Sequence, residues 1–143
     1  MQTTLAPQYQ GTPEGDVAAS VLRACVHCGF CLATCPTYQL LGSELDSPRG
    51  RIYLMKQVFA GATPTDKTQL HLDRCLTCRN CETTCPSGVQ YGKLLDVGRA
   101  VVEAAVGRSA SGALTRSALK RGLSSPTLFN TALKLGQTAR GLL

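Results

Sequence analysis

Two runs of four cysteines constrain this chain more than any other feature. Cys25, Cys28, Cys31 and Cys35 are separated by two, two and three residues and are followed by Pro36. Cys75, Cys78, Cys81 and Cys85 repeat that spacing 50 residues later and are followed by Pro86, so the repeat uses all 8 cysteines of a 143-residue chain. With no Trp and only 5% aromatic residues, the core is aromatic-poor, and the cysteines are expected to help hold the fold together.

Disulfides would require an oxidising compartment. The N-terminal residues Met1 to Pro7 have neither a basic n-region nor an apolar h-region, so the expected setting is a reducing cytoplasm. Cysteines this close in sequence also pair poorly. Zinc would use only the C-x2-C pairs and leave Cys31, Cys35, Cys81 and Cys85 without a role. The spacing C-x2-C-x2-C-x3-C-P is that of two-cluster iron–sulfur proteins, in which three cysteines of one run grip one cubane and the fourth reaches the other. The proline after the fourth cysteine redirects the chain to make that reach. The spacing therefore predicts two [4Fe–4S] clusters, one on Cys25, Cys28, Cys31 and Cys85 and one on Cys75, Cys78, Cys81 and Cys35. Four thiolates per cluster leave no open iron position, which points to electron transfer and not to substrate binding.

The net charge of +6 is unevenly spread. Residues 1–92 are neutral, with seven bases and seven acids, whereas from Lys93 onward eight bases face only Asp96 and Glu103. Each oxidised four-thiolate cubane carries about −2, so a loaded protein would stand near +2. The C-terminal bases are scattered singly among apolar residues with no aromatic platform, which excludes nucleic-acid binding. No apolar stretch approaches the ~18 to 20 residues of a spanning helix, so any membrane contact is expected to be peripheral or through a partner. The chain holds no G-x-G-x-x-G after a strand and no phosphate loop, so it contains no complete oxidase active site.

No segment alternates with period two, and the expected fold is all-α, an α-helical ferredoxin-like domain of two pseudo-repeated halves plus C-terminal helices. Asp16 is expected to cap a helix with Val17, Val21 and Ala24 on one face that runs into Cys25. Ser47-Pro48 reads as a cap and first turn, followed by Ile52, Met55 and Phe59 in a stripe that Gly61 ends. Thr65 is expected to cap a short helix that delivers Cys75. Leu94, Val97, Val101 and Ala104 mark a helix ending at Gly107. Two further helices are expected, Ala113 to Arg121 and one opened by Ser125-Pro126 with Leu128, Ala132, Leu135 and Ala139 on one face. The expected organisation is a flexible N-terminus at 1–14, the two-cluster domain at 15–107, and a basic helical tail, or the start of a missing region, at 108–143. The tail is expected to dock on protein. Arg74 and Arg79 flank the second cysteine run, so the Cys75 cluster is expected to have the higher potential. Arg49 and Arg51 read chiefly as solvated charges of a helix-start turn, and His27 as a solvent-facing loop residue that could also aim a donor at a cluster sulfur.

The stretches from Cys25 to Tyr38 (CVHCGFCLATCPTY), Ser47 to Leu54 (SPRGRIYL) and Leu70 to Val89 (LHLDRCLTCRNCETTCPSGV) resemble the iron–sulfur subunit of bacterial glycolate oxidase, over residues 15–106. The resemblance implies an electron-transfer subunit of a flavin-dependent 2-hydroxy-acid dehydrogenase. Its FAD-containing partner subunits would oxidise glycolate to glyoxylate, and this subunit would pass electrons toward a quinone-linked acceptor at the inner face of the cell membrane. A stand-alone carrier, or the corresponding subunit of a lactate or glycerol-3-phosphate dehydrogenase, is the alternative. Members of that family continue into modules marked by paired cysteines, whereas this chain has no Cys-Cys and stops at Leu143, as a fragment or a shortened relative would.

Overall fold

The structure, a computed structural model, describes residues 2–140, and every regular element among them is helical. It divides into two compact units, Met1–Gly107 and Arg108–Leu143. In the first unit α1 (Pro13–Ala24), α2 (Pro36–Leu41), α3 (Pro48–Phe59), α4 (Asp66–Asp73), α5 (Asn80–Thr83) and α6 (Tyr91–Val106) are joined by loops that hold every cysteine except Cys81, which lies in α5. The core lies where α1, α3 and α4 meet α6. Ala18, Leu22, Met55, Phe59, Leu72, Leu94 and Leu95 are almost wholly enclosed there.

The helix starts follow from local chemistry. The Ser47 hydroxyl accepts the Gly50 N–H ahead of Pro48 at the first position of α3, and Thr65 forms a reciprocal capping box with Thr68 at the start of α4. Helix α1 is capped by Thr12, not by Asp16: its hydroxyl accepts the Gly15 N–H, Pro13 takes the first helical position, and Asp16 sits in the first turn, where its charge suits the helix N-terminus. On α6 the buried stripe is Leu94, Leu95, Gly98 and Val102, while Ala104 is exposed. The expected stripe was rotated because glycine carries no hydropathy signal, yet Gly98 is where Met55 packs closest: a Cβ there would lie 2.4 Å from Met55 Sδ.

The N-terminal segment expected to be flexible is tied down. Ala6 N–H donates to the Phe59 carbonyl, Tyr9 packs edge-on against the Phe59 ring with centroids 5.0 Å apart, and a 3-10 turn at Pro7–Tyr9 leads to α1. In the second unit α7 (Ala110–Ser124), capped by Ser109, packs with α8 (Pro126–Arg140), and neither helix buries a residue. No helix among the described residues is long and apolar enough to cross a membrane.

Candidate metal centres

The two cysteine loops share one backbone. His27 and Thr77, each two residues past the first cysteine of its run, adopt left-handed φ of 56° and 54°, and Gly29 and Arg79 do so at 88° and 58°. Left-handed residues are uncommon outside glycine, so four at matching places describe the same tight turn built twice. Arg49 lies against Gly29 as well: a Cβ there would meet its Nη1 at 2.6 Å, a contact that this flexible side chain can relieve by moving.

Each loop opens onto a cavity. The first is lined by Cys25, Cys28, Cys31, Cys81 and Cys85. The second is lined by Cys35, Cys75, Cys78 and Cys81, so that Cys81 borders both. The last cysteine of each run thus lies in the cavity of the other, and Tyr91 and Pro48 border both. Among the described residues no three His, Cys, Asp or Glu side chains converge where a single metal ion could sit. The thiols instead line the cavity walls, as ligands of a polynuclear group would.

The donor set fits a cationic iron core. Burial and the neighbouring cysteines push the Cys31 thiol up to about 11, and burial with Cys75, Cys31 and Glu82 pushes Cys81 up to about 12. Cys25 is raised mainly by burial, although the His27 backbone N–H donates to its sulfur. These sulfurs resist becoming thiolates beside one another, and a bound metal group removes that repulsion.

Around the second cavity lies a buried polar network. Arg51 has no exposed surface; its Nε donates to the His71 carbonyl at 2.6 Å, Nη1 to Thr37 Oγ1 at 3.1 Å, and Nη2 reaches Asp46 Oδ1 at 3.5 Å. Asp46, also fully buried, further takes His71 Nδ1 at 3.0 Å and Arg74 Nη1 at 3.2 Å. Burial alone would raise the Asp46 carboxyl, but the hydrogen bond and charge of His71 and the charge of Arg74 outweigh it and hold it low. Thr37 Oγ1 lies 3.2 Å from Cys35 Sγ and donates to the Asp46 carbonyl. On the opposite wall Tyr91 OH donates to Cys75 Sγ at 3.6 Å, and burial and that sulfur push the phenol well above its usual range. Arg99 clamps the end of α4 by donating to the Leu72, Asp73 and Cys75 carbonyls.

The solvated reading of Arg51 is therefore wrong: it is enclosed and lines the second cavity, while Arg49 lines the first and pairs with Glu44 at 2.8 Å. Of the two arginines flanking the second run, Arg79 borders the cavity, whereas Arg74 is engaged with Asp46. Nor is His27 a solvent-facing loop residue, because it is part-buried beside the first cavity and its Nε2 is enclosed without a protein partner. Burial and the Arg49 and Lys56 charges lower its pKa. Thr37, Asp46, Tyr91 and Arg99 went unread in the sequence. Only Arg99, a charge within an apolar helical pattern, left a signal.

Residues 21–89 match the 4Fe-4S dicluster domain family. The chain is 56% identical over its full length to the glycolate oxidase iron-sulfur subunit of Escherichia coli strain K12, covering 35% of that protein. Over 83 residues, 57% of the chain, it is 51% identical to the probable glycolate oxidase iron-sulfur subunit of Bacillus subtilis strain 168, covering 19% of it. The chain thus spans about a third or less of the curated relatives it matches. No solved structure matches it.

Proposed function

We propose that this chain, 56% identical over its length to part of a glycolate oxidase iron-sulfur subunit and matching the 4Fe-4S dicluster domain over residues 21–89, is the two-cluster electron relay of a flavin-dependent 2-hydroxy-acid dehydrogenase. Cys25, Cys28, Cys31 and Cys85 hold one [4Fe–4S] cluster, and Cys75, Cys78, Cys81 and Cys35 hold the other. The clusters, when bound, supply one-electron transfer at potentials that their charge, hydrogen bonds and burial set. The observation that carries the reading is that the eight thiols line two adjoining cavities, Cys81 bordering both, with the fourth cysteine of each run in the cavity of the other.

The protein's own part is positioning and tuning. Arg51, through Thr37, fixes the side chain of Cys35, and Tyr91 fixes that of Cys75. Arg99 holds the backbone at which α4 hands over to the second loop. The two cavities share Pro48, Cys81 and Tyr91 in their walls, so the two centres would be near neighbours and electrons would pass between them within the protein. The donor is the FAD of a partner subunit that oxidises glycolate to glyoxylate, and the acceptor is quinone-linked.

Anaerobically purified protein should contain about eight irons and eight acid-labile sulfides per chain, with two interacting centres in the reduced-state paramagnetic resonance spectrum. Zinc with little iron would end the reading. Co-purified flavoprotein should reduce both centres with glycolate; reduction by lactate or glycerol 3-phosphate instead would reassign the substrate and leave the relay intact.

A further inference from the structure

The two ligand loops share their backbone and differ at one decisive side chain. His27 and Thr77 stand at the same place in the repeat with the same left-handed φ. Thr77 is exposed and turns its hydroxyl back to the Leu76 carbonyl at 2.7 Å. His27 lines the first cavity, and its Nε2 is closed off from solvent with no protein partner. Buried polar atoms of native proteins are nearly always satisfied. The cost of an unpartnered Nε2 is understandable if the ring serves something the cavity holds.

We propose that His27 Nε2–H donates a hydrogen bond to a sulfur of the group in the first cavity, either an inorganic sulfide or one of the thiolates of Cys25, Cys28, Cys31 and Cys85. The inference rests on the two-cluster reading above. A reduced cluster carries one more negative charge than an oxidised one, so a fixed donor at sulfur stabilises the reduced form and raises the potential of the first centre. His27 then serves this centre twice, since its backbone N–H already donates to Cys25. Around the second cavity Tyr91 and Thr37, which come from outside the loop, stand against Cys75 and Cys35. The repeat thus keeps one backbone, and the donor at the second cavity is Tyr91, since Thr37 gives its proton to the Asp46 carbonyl.

The test is made on the full chain, loaded anaerobically and labelled with histidine that carries ¹⁵N in the imidazole ring only, so that the backbone N–H at Cys25 stays silent. His71 is the one other histidine, and its ring is engaged with Asp46. Pulsed paramagnetic resonance of the reduced protein should show a ¹⁵N coupling that disappears in H27Q and persists in H71Q. Potentiometric titration should show the first centre harder to reduce in H27L by about tenfold, or about 59 mV for one electron, with H27Q retaining most of the wild-type value and the second centre unmoved. A fully loaded wild type with no such coupling overturns the proposal, as do H27L and H27Q titrating alike. Should H27L fail to take up iron, the wild-type coupling and the H27Q potential decide. A wild type holding zinc and little iron overturns the two-cluster reading itself, a result distinct from loaded protein without the coupling.

Discussion

A guanidinium without exposed surface survives in a protein interior only when its N–H groups meet acceptors. Arg51 meets a carbonyl, a hydroxyl and a carboxylate supplied by His71, Thr37 and Asp46. R51M should therefore lower the stability of the loaded protein by about 3 kcal/mol, read from a denaturant midpoint, and make the second centre harder to reduce than in wild type. R51K should rescue little, because an ammonium cannot reproduce the planar fork. The exposed pair of Glu44 and Arg49 behaves differently. The Arg49 hydrogen bond, against a small burial penalty, holds the Glu44 carboxyl below its usual range. Its contribution is present above the unfolded value of about 4.3 and is lost as pH falls through the lower folded value. The stability difference between wild type and E44Q should stay within about 1 kcal/mol for so solvated a pair and vanish in acid. The sequence displayed both arginines in one motif and offered no means to tell them apart. The acceptors of Arg51 come from positions 37, 46 and 71, and local chemistry has no view of that convergence.

At the scale of elements, the helices meet at glycines. A Cβ on Gly50 would lie 2.0 Å from the Glu44 carbonyl oxygen, a backbone atom of the turn that carries Asp46. On Gly98 it would strike Met55, a fully buried but flexible side chain. G98A should cost about 1–3 kcal/mol, whereas G50A should exceed that range and also shed iron from the second centre, because the turn it displaces holds the Asp46 network. Iron per chain measured alongside the unfolding curve separates the two variants; equal losses would show that the turn can move. Helix starts at Ser47 and Thr65 were legible because a cap is a local event between a hydroxyl and an N–H three residues on. The Thr12 cap was displaced in the reading by Asp16, another good capping residue four positions later. The short α2 and α5 left no periodic trace, since four to six residues are too few to show one.

For the whole molecule, the cysteine spacing alone announced two equivalent halves, and the all-helical class followed from the absence of alternating segments. All eight thiols and the side chains described against them lie in Met1–Gly107. A chain ending at Gly107 should accordingly bind as much iron and sulfide as the full chain, with an unchanged reduced-state spectrum; a loss of half the iron would implicate Arg108–Leu143 in holding a centre. The crossover of Cys35 and Cys85 has a further consequence, for damage and its repair. An oxidant that destroys the group in one cavity frees a thiol whose neighbours in sequence still grip the other, so injury to one centre loosens the anchorage of both. Rebuilding has the same character: neither half offers four sulfurs by itself, and a half-repaired protein is a poor resting place. On the two-cluster reading proposed above, the two groups are therefore expected to be gained and lost together.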